Sequence, residues 1–414
     1  MVKEAVARVY ERAIDRCARD GVLPAGEHAR IQLDAPKNPA HGDFACNAAM
    51  VLQKQHAQAI GAARPNPRAL AQAIVDRIDD PDHLIDRIEI AGPGFLNVRV
   101  APVVWHRAFG AVWEERDRFG RSGVGARRKT MVEFVSANPT GPMHVGHGRG
   151  AVIGDTIANL LEWAGYDVFR EFYVNDAGGQ VFRLAHAVFA RATELDGTVP
   201  VEPLAPDDYQ GEYIKEVARA WLATKPDLRR GFDGLREPLR KFATSWILDH
   251  LIKPDLELFG IGFDNFFGEK TLHDRQAIAH AVEVLRRKGV LAEEVLPPPQ
   301  GVERDADEEI TAKPLLVMKT TRFGDDRDRP IYKTTGEPTY FAADVAYHFD
   351  KIERGYQRLI DVWGADHGGY VARMKAAVAA MGGERRQVPV QRLGGHRGLP
   401  RAGVATPHLI PRSR

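Results

Sequence analysis

Apolar residues at the start of the chain recur with the spacing of one buried helix face. Val2, Ala5, Val6, Val9, Ala13 and Cys17 fall mostly three or four apart and predict an amphipathic helix. Further helices are expected near 43–60 and 67–79, and two strands around Ile88–Ile90 and Phe95–Val100, joined by the turn Gly92-Pro93-Gly94. From about residue 130 the pattern changes. Apolar runs near 130–136, 167–174, 315–321 and 358–364 read as strands separated by helical patterns, the signature of a parallel, doubly wound α/β sheet. Met131 to Val135 is the buried strand that opens it, and Pro139, Gly141 and Pro142 punctuate the turn after it. Val145, Val152, Ile153, Ile157, Leu160 and Leu161 of the next helix are expected to face the core. Between about 184 and 256 the alternation gives way to mostly helical pattern, broken by the proline-rich VPVEPLAPDD, which reads as an insertion between the sheet's halves. LPPPQGVERDADEE, near 296–309, reads as a solvated acidic loop. The expected division is a small α+β domain over 1–118, an α/β domain over 119–383 entered through RSGVGARR, and a tail over 384–414.

Composition narrows the class without naming a function. A chain of 414 residues, 44% hydrophobic and 27% charged, has room for two or three cores and does not suit a disordered protein. A formal net charge of +1 neither supports nor excludes a nucleic-acid partner, because a local basic patch would be hidden in that balance. Cys17 and Cys46 are too few for a disulfide framework or a thiolate zinc site, so a reducing cytoplasm is expected and no metal ligand is assigned. MVKEAVARVYERAIDR spreads its charges around a helix, and no run of about 18 apolar residues occurs. Neither a signal peptide nor a membrane span is expected.

The densest chemical signal is EFVSANPTGPMHVGHGRGAVIGD, Glu133 to Asp155, which sets His144 and His147 three residues apart at a strand-to-helix turn. Both lie on one face of the first helical turn, where free N–H groups and the positive end of the dipole attract anions. Two imidazole donors extend such a site toward the phosphates of a nucleoside triphosphate. Two histidines in that position would also serve simply as helix caps.

SANPTGPMHVGHGRGAVIGD resembles the arginyl-tRNA synthetases, with HVGH in the place of the HIGH signature of class I aminoacyl-tRNA synthetases. HGDFACNAAM and AGPGFLNVRV resemble that family's N-terminal add-on domain, which contacts the tRNA elbow, although a helix cap at Asp43 and a hairpin turn at Gly92–Gly94 would explain them too. YQGEYI, Tyr209–Ile214, resembles a further family stretch, and by itself is a helix start capped by Asp207 or Asp208. The resemblance implies a Rossmann-like parallel sheet with a helical insertion, preceded by a small α+β domain. It also implies an arginine–tRNA ligase: arginine and ATP give arginyl-adenylate and pyrophosphate, and the terminal ribose of tRNA(Arg) then takes the arginyl group. The attacking carboxylate is already ionised, so alignment of reactants and stabilisation of phosphate charge are the tasks left to the protein.

By that resemblance His144 and His147 are the catalytic contacts to the phosphates of ATP, which brings Mg²⁺ with it, and Gly146 leaves the adenine room beside the backbone. In VWGADHGGYVARMK, Gly364 approaches the adenosine and Asp366 or His367 binds its ribose; Gly368 and Ala372 stand where the family usually has a second histidine and a proline. Glu133, Ser136 and Asn138 hold the amino group of arginine and the atoms near it. Ideal strand alternation would set Glu133 and Ser136 on opposite faces, so the strand must bend or end near Val135. Asp176 in YVNDAG faces the same crevice or is a turn aspartate ahead of a helix. Tyr340 and Asp344, four apart in TYFAADVAYH, are expected on one helix face as acceptors for the planar guanidinium, a solvated polar pair being the alternative.

The resemblance runs over residues 1–383. The family continues with a helix and strand, a KMSK-like loop whose lysine stabilises pyrophosphate, and a helical domain that reads the anticodon. No MSK string occurs in this sequence, and Arg373-Met374-Lys375 lies too early to replace it. Arg385 to Arg414 contains no acidic residue, seven arginines and four prolines. A shifted reading frame in a GC-rich gene is the expected origin, with a basic RNA-binding tail as the alternative. The chain is then expected to be monomeric, to bind ATP weakly as well as arginine, and to charge tRNA poorly or not at all. The rival expectations are a non-catalytic arginine- or RNA-binding paralogue and a nucleotidyltransferase that adenylates a small molecule without tRNA.

Overall fold

The structure, a computed structural model, describes residues 2–26, 28, 31–56, 66–295, 314–364 and 369–382. The loop expected near 296–309, Asp366, His367 and the tail over 384–414 lie outside them. The chain forms two compact units that divide between Gly120 and Arg121.

In the first unit, α1 (Val2–Arg19) buries Val6, Val9, Ala13 and Cys17, the face its spacing requires. It is followed by β1 (Leu33–Asp34), β2 (Phe44–Cys46), α2 (Ala48–Gln55), α3 (Pro67–Val75), β3 (Ile85–Ala91), β4 (Phe95–Val100) and α4 (Pro102–Glu115). The strands form an antiparallel sheet of order β1-β2-β4-β3. The helix expected from residue 43 starts later, because Phe44–Cys46 is a strand, and Asp43 is no helix cap. Its carboxylate accepts the Val100 N–H at 2.8 Å and its own N–H donates to the Val98 carbonyl at 2.7 Å, which ties it to β4.

The second unit opens with β5 (Lys129–Glu133), α5 (Val145–Trp163) and β6 (Asp167–Val174). Four helices follow, α6 (Gly179–Asp196), α7 (Tyr213–Leu222), α8 (Gly231–Ile247) and α9 (Lys253–Leu258). The chain then runs through β7 (Asn265–Gly268), α10 (Lys270–Asp274), α11 (Ala277–Arg287), β8 (Leu291–Glu294), β9 (Leu315–Met318) and β10 (Arg329–Pro330), ending in α12 (Tyr340–Glu353), β11 (Arg358–Asp361) and α13 (Tyr370–Ala380). The parallel sheet has the order β11-β5-β6-β7. The strand expected near 315–321 is not part of it. Residues Leu315–Met318 pair antiparallel with both β8 and β10 in a separate three-stranded sheet. The fourth parallel strand is β7, whose four residues are too few to show a period.

Strand β5 stops at Glu133, short of the expected Val135, since Val135 and Ser136 take left-handed φ values of 66° and 42° that no strand continues through. On α5, Ile153, Ile157 and Leu161 pack against the core as expected, but Val145, Val152 and Leu160 point outward, Val145 being 86% and Leu160 65% exposed. Gly150, Ala151, Gly154 and Ala158 form the buried face instead. A Cβ on Gly154 would lie 2.2 Å from Cγ of the buried Phe134, so small residues let the helix settle onto the aromatic side chain just beyond β5. Apolar residues surround this helix, and the closest approach selects the small ones. The helices α6 to α8 share the core of β5 and β6 through Leu184, Val188, Ile214 and Leu239, while Ile278, Met318, Val345 and Met374 belong to a second core under the small sheet. Among the described residues no helix is long and apolar enough to cross a membrane.

Candidate active site

Helix α5 begins at a cap built by the two histidines. Nδ1 of His144, the N-cap residue, accepts the N–H groups of Gly146 at 3.1 Å and His147 at 3.4 Å, while the His144 N–H donates to Nδ1 of His147 at 3.4 Å. The rings stack with centroids 3.7 Å apart and planes 14° apart. A ring nitrogen that accepts an N–H has no proton of its own, so each neutral ring carries its proton on Nε2. Burial and the neighbouring His144 hold His147 below the usual histidine range, which favours the neutral ring. Capping and anion binding are therefore compatible uses of one arrangement: Nδ1 serves the helix and Nε2–H remains a donor. Gly146 has a steric reason of its own, since a Cβ there would lie 2.9 Å from Cε1 of His144.

The loop before the cap is held from α7. Tyr213, the second tyrosine of YQGEYI, donates to the Thr140 carbonyl at 2.7 Å, and a Cβ on Gly141 would meet its hydroxyl at 2.9 Å. Neither Asp207 nor Asp208 caps α7, whose N-cap is Glu212; Asp208 accepts the Ala205 N–H at 2.8 Å and lies 2.6 Å from Nδ1 of His186.

Glu133 and Ser136 meet despite their spacing. The left-handed turn at Val135 and Ser136 brings Oγ of Ser136 to donate to Oε1 of Glu133 at 3.0 Å while accepting the Tyr173 N–H at 3.1 Å. Asn138 donates to Oε1 of Gln180 at 2.8 Å. Asp176 reaches across to the segment after β7, its Oδ1 accepting the N–H of Lys270 at 2.8 Å at the start of α10. Val362, just past β11, donates its N–H to the Glu133 carbonyl at 2.9 Å, and exposed Gly364 follows two residues later.

Tyr340 and Asp344 both lie on α12, four residues apart as expected, and differ in exposure. Tyr340 is the first residue of α12 and 79% exposed, whereas Asp344 is half-buried and accepts the hydroxyl of Tyr370. A second carboxyl that Asp344 influences is one that the sequence pattern did not reveal. Glu269 follows β7 directly, and its N–H donates to the Val174 carbonyl at 2.9 Å. Burial, with Asp344 and Asp176 adding to it, pushes its carboxyl up to about 7 against the opposing effect of a hydrogen bond with Tyr173. Burial raises Asp344 as well. Two carboxyls that resist ionising side by side make a place where a cation is favoured, because its charge restores both. Glu269 escaped notice together with its strand; an acid at the carboxyl end of a parallel strand is the signal that would have found it.

The chain is similar to known proteins over most of its length. Residues 2–100 match the family model described as arginyl tRNA synthetase N terminal domain, and residues 114–210 match that of tRNA synthetases class I (R), catalytic domain. An arginine–tRNA ligase of Magnetococcus marinus is 44% identical over 395 residues, which cover 94% of this chain and 66% of the relative. Another, of Jannaschia sp., is 44% identical over 376 residues, covering 90% and 63%. The chain thus spans a little under two thirds of the length of these relatives. Among solved structures, the arginyl-tRNA synthetases of Plasmodium falciparum and Thermus thermophilus share the fold over 95% of this chain, with TM-scores of 0.61 and 0.60, 15% and 18% identity, and coverage of 64% and 65% of their own chains. The expected class I architecture, a parallel sheet with helices preceded along the chain by a small α+β domain, is the one found. With two family models in chain order and that level of identity to named ligases, the chain belongs to the arginyl-tRNA synthetase family of class I.

Proposed function

We propose that this site binds arginine and ATP, joins them as arginyl-adenylate with release of pyrophosphate, and passes the arginyl group to the terminal ribose of tRNA(Arg). The observation that carries this reading is the double-histidine cap, which leaves Nε2–H of His144 and of His147 as donors at a helix N-terminus. Donors fixed before reaction stabilise charge growing on departing phosphates without reorganisation. Glu269 and Asp344 take the guanidinium, whose rigid fork of donors suits two carboxylates. Glu133, Ser136 and Asn138 take the ammonium end, Asp176 steadies the adjoining turn, and Tyr340 borders the arginine site. Gly146, Gly364 and Asp366 or His367 serve the nucleoside, and Mg²⁺ arrives with the triphosphate. The N-terminal unit contacts the tRNA elbow. The protein works as a monomer in the cytoplasm.

Arginine-dependent exchange of pyrophosphate into ATP is the test, run with and without tRNA(Arg). Exchange that requires both arginine and the tRNA is expected. Exchange indifferent to tRNA would favour a small-molecule nucleotidyltransferase, and arginine binding without exchange a binding protein.

A further inference from the structure

The parallel register places Asp361 of β11, Glu133 of β5 and Glu171 of β6 side by side, one carboxylate on each of three neighbouring strands. Residues in register point to the same side of a sheet, and this row is sealed, with Glu133 7% exposed and the other two fully buried. Helix α12 and its C-cap residue supply the cations. Arg354 answers Glu171 through two bonds of 3.0 and 2.6 Å, with the Tyr347 hydroxyl and Asn265 adding bonds of 2.8 Å each. Glu133 and Asp361 share one ammonium: Nζ of Lys351 lies 2.5 Å from Oε2 of Glu133 and 2.8 Å from Oδ1 of Asp361 and is itself fully buried. Nε2 of His348 stands 3.2 Å from the other oxygen of Asp361.

Both oxygens of Glu133 are thereby fixed, Oε1 by Ser136 and Oε2 by Lys351. Burial and the neighbouring Asp361 push the Glu133 carboxyl up, and Lys351 is the largest influence holding it down. Asp361 precedes Val362, whose N–H is bound to the carbonyl of Glu133, so one side chain also ties the strand end that leads to Gly364. We propose that Lys351 is a positioning residue, which holds the Glu133 carboxylate ionised and aimed at the ammonium of bound arginine and locks the β5 and β11 ends together. The inference rests on the reading of this site as an arginine site.

Equilibrium binding to the full chain separates the two. L-arginine is compared with 5-guanidinopentanoic acid, which keeps the guanidinium and carboxylate but has no ammonium, and with L-citrulline, which has no guanidinium. The proposal expects Lys351→Met to weaken arginine roughly tenfold or more, the scale of one charge-assisted bond, while 5-guanidinopentanoic acid changes by less than about twofold. Raising the pH should restore part of the loss, because Glu133 then ionises without its cation. The other groups facing it, Tyr347 and His348 from α12, Asp361 from β11 and Tyr173 from β6, are unchanged in that variant. Should Lys351→Met fail to fold, the double variant Lys351→Met with Asp361→Asn leaves one buried carboxylate fewer and must show the same loss of preference. Equal weakening of both ligands, or full retention of the preference for arginine, would overturn the proposal. A wild-type chain that does not distinguish arginine from citrulline would instead sink the arginine reading.

Discussion

Glu269 holds its proton to about pH 7 because it is buried beside Asp344 and Asp176. In the unfolded chain the same carboxyl loses its proton near 4.5, so between these values the folded state binds the extra proton and its stability declines as pH rises. Glu269→Gln should remove that decline, and denaturant unfolding at about pH 5 and about pH 8 measures it: the variant's stability relative to wild type is expected to improve toward the higher pH. Ligand binding should show the complementary behaviour. A guanidinium favours the ionised carboxyl, so arginine affinity is expected to rise from about pH 6 to about pH 8 in the wild type and to be weak and flat in Glu269→Gln. His147→Ala removes a capping partner and a phosphate donor at once. A loss of about 1 kcal/mol in stability is expected from the cap, with a larger effect, roughly a hundred- to thousandfold, on pyrophosphate exchange. The histidines were legible in the sequence because glycine, proline and spacing all pointed to one helix start. Lys351 was not, since its partners Glu133 and Asp361 are 218 and 10 residues away and hidden within apolar runs, and only the register of the strands unites them.

At the level of elements, α5 shows where periodicity stops being informative. Its apolar residues lie on several sides, so the pattern Val145, Val152, Leu160 competes with Ile153, Ile157, Leu161, and the choice falls to the fit of Gly154 against Phe134. Two substitutions separate the alternatives. Gly154→Ala is expected to cost about 1–3 kcal/mol through overpacking, while Val152→Ser on the outer face should stay within about 0.5 kcal/mol, both read by thermal or denaturant unfolding. The antiparallel pairing of Leu315–Met318 was hidden for a related reason: a short buried run has the same composition in either kind of sheet. The bend after Glu133 was legible, because the placement of Glu133 and Ser136 on one site demanded it, and the left-handed φ of Val135 and Ser136 is its physical form.

For the whole molecule, the first unit owns a core that includes Tyr10, Leu33, Leu52, Leu70 and Leu96. Residues 1–120 expressed alone are therefore expected to melt cooperatively, and a broad, featureless transition would show that this core does not suffice. The second unit gathers the proposed chemistry at the carboxyl ends of its parallel strands, where Glu133 and Glu269 follow or end β5 and β7 and the histidine cap follows the first turn. The central claim is that the carboxyls of Glu269 and Asp344 recognise the charge of a guanidinium. Calorimetric titration of the full chain with L-arginine and with L-citrulline, which is nearly the same in shape but uncharged at that end, tests it most directly. A preference for arginine of roughly tenfold or more, lost in Glu269→Gln, is the predicted result. Equal binding of the two, or an arginine preference untouched by Glu269→Gln, would contradict it.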